Sequence, residues 1–384
     1  MNKLVFFYDY FTPAYKAGGP VQSLSNLVPI LENEFKVYIF TSNTDLDHST
    51  LKVEINSWVS YSSNSKVMYL GKSQQNFRFL DCLIKEINPE ILYINGMFSL
   101  SFVVNPLLIA LKRKIPVLIA PRGMLQKGAL AIKNLKKRVF LGMLKLLIFK
   151  KKDLYWHATD EQEKQDIFKY FNQENSTFTI SNVPRFIKKW DPIKYSFHEK
   201  KDFITISLIT KKKNHISFIN LLNGLIPKRH MTYNIFGPIA NSGYKHELVK
   251  GILNLDKKIE VSFQGEIEPA NVPDALQSHK FFVLPTFGEN FGHAIFEALS
   301  VGVPVIISDK TPWRNLEAEN AGWDLSLDKM GKWLNVVHEA IHISEEQYLK
   351  LSKGARKLAE HFMETNNFDK SYKEMFFFII NNRL

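Results

Sequence analysis

Short apolar runs recur along this chain, each ending in a polar or glycine-bearing turn and followed by a stretch with apolar positions three and four apart. In the first half the runs Leu4–Phe7, Val37–Phe40, Ile91–Ile94, Val117–Ala120 and Leu154–Ala158 predict strands. Helical spacing predicts helices over Val21–Leu31 and Phe77–Ile87, and helical segments from Leu125 to Phe149. A polar, proline-containing stretch from Val183 to Asp202 breaks the alternation. It restarts at Phe203–Ser207, Thr232–Phe236, Glu260–Phe263, Phe281–Leu284 and Val305–Ser308, and a helix from Glu345 to Phe362 closes the second half. Strands and helices alternating in this way predict an α/β protein with two Rossmann-like domains, residues 1–182 and 203–365, joined by a linker over 183–202.

One segment carries more chemistry than the rest. Pro285 to Ser308 reads as strand end, tight polar turn, helix, stop and strand, with Gly288 and Asn290 in the turn and Gly302-Val-Pro304 at the stop. Glu289 sits in the turn and Glu297 about a turn and a half into the helix, so both can face one ligand crossing the helix N-terminus. Such an N-terminus attracts anions, and ionised carboxylates accept strong hydrogen bonds from sugar hydroxyls. The combination suggests a nucleotide-sugar.

This segment resembles the E-x7-E signature of retaining glycosyltransferases of family 4, within the glycosyl transferases group 1, which have the GT-B fold. The resemblance rests on Glu289 and Glu297, with Gly288, Phe291 and Gly292 between them and Ala298-Leu299 and Gly302-Val-Pro304 after. It implies parallel sheets facing across an interdomain cleft, with the acceptor bound by residues 1–182 and the donor by 203–365. It also implies that the tail, residues 366–384, packs back on the first domain. Asn290, Phe291, Gly292 and Glu297 are then expected at the donor, with Glu297 on the ribose and Glu289 orienting the transferred sugar. An ordinary crossover with surface glutamates is the plainer alternative.

Three further loops fit the resemblance unequally. Gly18 and Gly19, between the first strand and first helix, stand where a Rossmann half binds phosphate, although G-x-G-x-x-G is absent. The resemblance places them near the donor phosphates and the acceptor. In Leu208-Ile-Thr-Lys-Lys-Lys-Asn214, Lys213 takes the place of the family's phosphate-neutralising Lys, with Lys212 close behind. Leu208 stands where the family has an Arg. Arg122, in Pro121-Arg-Gly123, stands where many relatives carry a histidine; it could contact a phosphate and replace the charge missing at Leu208.

Other polar positions have mainly structural readings. His157 is expected to be a core histidine, and Thr159 or Asp160 to cap a helix, with Glu163 completing a capping box. His293 could be either structural or a ligand contact. Phe236-Gly-Pro-Ile and Gln264-Gly-Glu-Ile267 end strands on the same side as the glutamates and are candidates for the nucleobase pocket. No D-x-D or histidine spacing indicates a metal, and the resemblance implies metal-independent transfer without a cofactor.

Composition adds one feature. Cys82 is the single cysteine, which excludes internal disulfides, and a buried thiol is expected. No secretory signal or membrane span is visible, so a cytoplasmic protein is expected. The net charge of +12 is regional: residues 91–152 hold thirteen Lys and Arg and no Asp or Glu. Basic residues mixed with Leu135, Phe140, Met143, Leu144 and Leu147 predict a peripheral contact of segment 112–152 with an anionic membrane surface, on the inner face of the cytoplasmic membrane. They interleave with aliphatics rather than with aromatic stacking platforms, which argues against nucleic acid. The reading is a sugar transferase acting on a glycan or lipid-linked acceptor in surface polysaccharide synthesis. A nucleotide-sugar 2-epimerase and a non-catalytic donor-binding subunit are the alternatives.

Overall fold

Strands rich in Ile, Leu, Val and Phe cannot leave either face in water, so each must be covered by helices on both sides. The computed structural model describes residues 1–126, 134–149, 153–172, 176–188, 190–191 and 194–382. It divides into two units, Met1–Val183 with Asn367–Leu384, and Pro184–Asn366. Residues 184–202 thus fall within the second unit.

The first unit holds β1 (Asn2–Phe7), α1 (Gly19–Leu31), β2 (Phe35–Ser42), β3 (Trp58–Ser62), β4 (Ser65–Leu70), α2 (Phe77–Ile87) and β5 (Ile91–Asn95). It continues with α3 (Asn105–Arg113), β6 (Val117–Ala120), α4 (Asn134–Phe149), β7 (Leu154–Ala158), α5 (Glu161–Phe171) and β8 (Thr177–Thr179). Its sheet runs β3-β4-β2-β1-β5-β6-β7-β8, parallel except where β3 meets β4. The edge strand β3 does not show in the apolar pattern: its residues Trp58 to Ser62 are half-exposed, so no continuous apolar run marks them. β4 does carry a buried apolar run, Val67 to Leu70, and joins the strands without having been anticipated.

The second unit holds β9 (Lys201–Ile206), α6 (His215–Leu222), β10 (Met231–Phe236), α7 (Ser242–Ile252), β11 (Ile259–Gly265) and α8 (Val272–Gln277). After these come β12 (His279–Leu284), α9 (His293–Ser300), β13 (Val305–Ser308), β14 (Gly322–Leu325), α10 (Met330–His342) and α11 (Glu345–Thr365). This sheet is fully parallel, in the order β11-β10-β9-β12-β13-β14. Every residue of β12 is buried. Covering a side chain such as Phe281 or Leu284 is worth about 1.5–3 kcal/mol.

A last helix, α12 (Phe368–Asn381), belongs to the first unit. Phe376 stacks on Phe6 and meets Tyr93 edge-on, and Tyr372 donates to the Ser181 carbonyl at 3.0 Å. Cys82 corrects an expectation: it is exposed, on the side of α2 away from the buried Leu80 and Ile84. Of the basic segment, Lys127, Lys133, Lys150, Lys151 and Lys152 lie outside the described residues.

Candidate functional site

In each sheet one strand has its neighbours' connections leaving in opposite directions. For the second sheet this switch lies between β9 and β12, and open α/β sheets bind ligands just beyond the carboxyl ends of such strands. After β9 the chain makes a short turn, Lys211–Lys213, and Asn214, at φ 57°, leads into α6. After β12 comes the turn Thr286 to Phe291. The two loops are sewn together: the Lys212 carbonyl accepts from the Phe287 amide at 2.8 Å and from Thr286 Oγ1 at 3.1 Å.

Across this seam Lys213 Nζ donates to Glu289 Oε1 at 2.6 Å, with both side chains mostly shielded. The Glu289 amide donates to the Lys310 carbonyl at 3.0 Å, so the loop after β13 holds the turn from its other side. Lys212, flanked by the same pair, has its pKa lowered by burial and by Lys213, with Glu289 opposing. Next to the lysine turn, His215 is buried, and desolvation pushes its pKa down to about 3, so it stays a neutral partner of Ser207 Oγ at 3.2 Å. Leu208 is half-buried and brings no charge.

Gly292 caps α9 at φ 80°, where a Cβ would come within 2.8 Å of Ile295 Cδ1. Glycine there lets the chain turn sharply into the helix and leaves the N-terminus without a side-chain cap. Glu297 lies buried in α9 and Asn290 is half-exposed in the turn. Phe291 is a correction: its ring sits in the core against Phe296, Trp313 and Phe362, and its carbonyl accepts from Trp313 Nε1 at 2.6 Å. It shapes the turn and presents no ring to a ligand. At the ends of β10 and β11, the Gly237 amide donates to the Gly265 carbonyl at 2.7 Å. A Cβ on Gly237 would lie 1.9 Å from the Ser207 carbonyl oxygen, so only glycine lets β10 end against β9.

Arg122 is the larger correction. It is buried in the first unit and all three guanidinium nitrogens have partners. Nε and Nη2 donate to Asn95 Oδ1 at 3.0 and 2.9 Å, Nη2 also donates to Tyr93 Oη at 2.7 Å, and Nη1 donates to Asn182 Oδ1. His157 extends the cluster, 2.6 Å from Tyr93 Oη and 2.8 Å from the Ile180 carbonyl, and burial drops its pKa to about 3. Arg122 therefore fastens β5, β6 and the segment before the second unit, and has no face left for a phosphate. Asp160 caps α5, but Glu163 completes no box with it. The Glu163 carboxylate accepts from the Thr159 amide and hydroxyl at 2.9 and 2.7 Å, and from the Gly123 amide at 2.5 Å.

Gly18, at φ 77°, stands before α1, which Gly19 begins; no side chain caps that N-terminus either. Sequence reasoning passed over Asp9, just beyond β1, whose Oδ1 accepts from Ser99 Oγ at 2.7 Å. Burial pushes its pKa up to about 6, with the Ser99 bond opposing. Its place two residues after an apolar strand was the available signal. Among the described residues no three His, Cys, Asp or Glu side chains gather to hold a metal, and no helix is long and apolar enough to cross a membrane.

Residues 186–357 match the family model of glycosyl transferases group 1. No curated protein matches the chain. Among solved structures it is similar to sucrose-phosphate synthase from Thermosynechococcus elongatus, at 13% identity and TM-score 0.74, covering 99% of this chain and 100% of that one. HepE from Anabaena, in complex with UDP and glucose, is similar at 14% identity and TM-score 0.70, over 97% and 99% of the two chains. WaaG, a glycosyltransferase involved in lipopolysaccharide biosynthesis, is similar at 11% identity and TM-score 0.67, over 97% and 99%. At such identities the likeness is one of fold, and the fold is GT-B, built of two Rossmann-like units.

Proposed function

We propose that this chain, whose residues 186–357 match the family model of glycosyl transferases group 1, moves a sugar from a nucleoside-diphosphate donor to a glycan or lipid-linked acceptor with retention of configuration. The observation that carries the proposal is the Lys213–Glu289 pair at the β9–β12 switch point, beside the uncapped N-terminus of α9. Negative charge grows on the diphosphate as the bond from its oxygen to the sugar's anomeric carbon breaks. Lys213, Lys212 and the helix dipole are placed to meet that charge, the part a divalent cation takes in other transferases. Glu289 orients both Lys213 and the sugar hydroxyls, and Glu297 holds the ribose. The acceptor oxygen bonds to the anomeric carbon on the face the diphosphate leaves, and its proton passes to the departing phosphate oxygen. The complex of HepE with UDP and glucose supports a nucleotide-sugar as donor, and the role of WaaG supports surface polysaccharide synthesis as the setting.

The first test is thermal. UDP, GDP and ADP, each also as its glucose conjugate, are expected to include one that raises the melting temperature, because a ligand bound only by the folded state stabilises it by mass action. No shift from any of them would remove the donor assignment.

The reading also places the chain on the inner face of the cytoplasmic membrane. The residues responsible differ from those anticipated, because Phe140, Met143, Leu144 and Leu147 pack into the first unit's own core. Leu135, Val139 and Leu146 remain 75%, 68% and 70% exposed. At about 100° per residue they share a stripe about 40° wide, flanked by the exposed Lys136, Arg138 and Lys145. Lys112 and Arg113 contribute less, since both pair with Asp81. Flotation with vesicles containing anionic lipid should carry the protein up, and the triple change of Leu135, Val139 and Leu146 to Ser should abolish it. Equal recovery of that variant would eliminate the membrane contact.

A further inference from the structure

The first sheet has its own switch point, between β1 and β5. The loops leaving those two strands are joined as the corresponding loops of the second unit are. There, a side chain after β9 meets one after β12; here, Ser99, four residues beyond β5, donates its hydroxyl to Asp9, two residues beyond β1, at 2.7 Å. Ser99 is itself buried and fixed, because its Oγ also accepts from the Phe102 amide at 3.2 Å. The Asp9 carbonyl accepts from the Ser42 amide at 3.2 Å, which ties the same residue to the end of β2. Asp9 is half-buried and forms no ion pair with any described residue. A carboxylate oriented by one hydroxyl retains further acceptor capacity.

From this we infer that Asp9, positioned by Ser99, anchors a sugar hydroxyl in the first unit and is a specificity-determining residue for the acceptor. The inference rests on the glycosyltransferase reading. The ligand class follows from the chemistry: a carboxylate without a cationic partner favours neutral hydroxyl donors and disfavours phosphate.

Saturation-transfer NMR with the octyl glycosides of glucose, galactose, mannose and N-acetylglucosamine tests it, alongside calorimetric titration of UDP. At least one glycoside should bind the wild-type chain. Asp9→Asn keeps the shape but loses the charge, and should weaken that glycoside about tenfold to a hundredfold, as expected for one hydrogen bond to a charged group, with UDP affinity unchanged. Asp9→Glu keeps the charge but moves the oxygens, and should weaken it too, which covers failure of the Asn variant to fold. Glycoside binding undiminished in both variants overturns the inference. So does the absence of binding by all four glycosides, and in that case intact UDP binding leaves the donor assignment standing. Absence of binding by UDP, GDP and ADP alike would instead strike at the transferase reading.

Discussion

Lys213→Ala is expected to lower turnover by about a hundredfold to a thousandfold, which is about 2.7–4 kcal/mol of transition-state stabilisation. The side chain is mostly shielded and its ammonium is 2.6 Å from Glu289 Oε1. A cation fixed in this way needs no reorganisation as charge gathers on the leaving diphosphate. Removing it also leaves the Glu289 carboxylate facing the same negative charge, so the loss should exceed that of one exposed contact. Glu289→Gln should cost less, because the amide oxygen can still accept from Lys213. Release of nucleoside diphosphate, measured with whichever sugar nucleotide stabilises the chain most, gives all the rates. A double-mutant cycle then isolates the coupling between Lys213 and Glu289. Additive effects would show that the two act separately, and wild-type turnover in Lys213→Ala would remove the site.

The strands bearing this pair were legible because their burial on both faces leaves no alternation to misread. Phe281 to Leu284 and Val305 to Ser308 are wholly apolar or nearly so, and the turn between them had to be tight and polar. Lys213 could be placed by counting from Leu208. The edge strand β3 was illegible for the opposite reason, since edge strands carry polar residues that blur periodicity. Phe291 and Arg122 show a limit of another kind. Motif position put both beside a ligand, but whether a side chain turns toward ligand or core depends on partners far along the chain. For Phe291 these are Trp313 and Phe362, and for Arg122 they are Tyr93, Asn95 and Asn182. Such partners leave no mark in local sequence. The exposed apolar stripe on α4 was legible in composition only; Leu135 and Leu144 look alike until the core selects one of them.

Arg122→Met is expected to destabilise the first unit by about 3–5 kcal/mol, the usual cost of removing one member of a buried charged cluster. Methionine fills much of the volume, so the loss is chiefly electrostatic. Asn95 Oδ1 loses both bonds that Arg122 donates to it and bears the desolvation cost of a buried acceptor, while Tyr93 Oη and Asn182 Oδ1 each lose one donor but keep His157 Nδ1 and Ser23 Oγ. Glu163 worsens the balance: it is buried nearby, its own pKa is raised by burial, and Arg122 is among the groups that hold it down. Arg122→Lys should recover little, because one ammonium cannot span three acceptors. For a unit of this size the melting transition should fall by roughly 10 °C. UDP affinity, measured well below that transition, should be unchanged, because the proposed donor residues lie in the second unit. A charge compensating for Leu208 would give the opposite pattern. Arg122→Met would then melt like the wild type and lose turnover, and Leu208→Arg would restore it. Calorimetry and kinetics on Arg122→Met, Leu208→Arg and their combination separate the two cases, and a stable but inactive Arg122→Met would return this residue to the ligand.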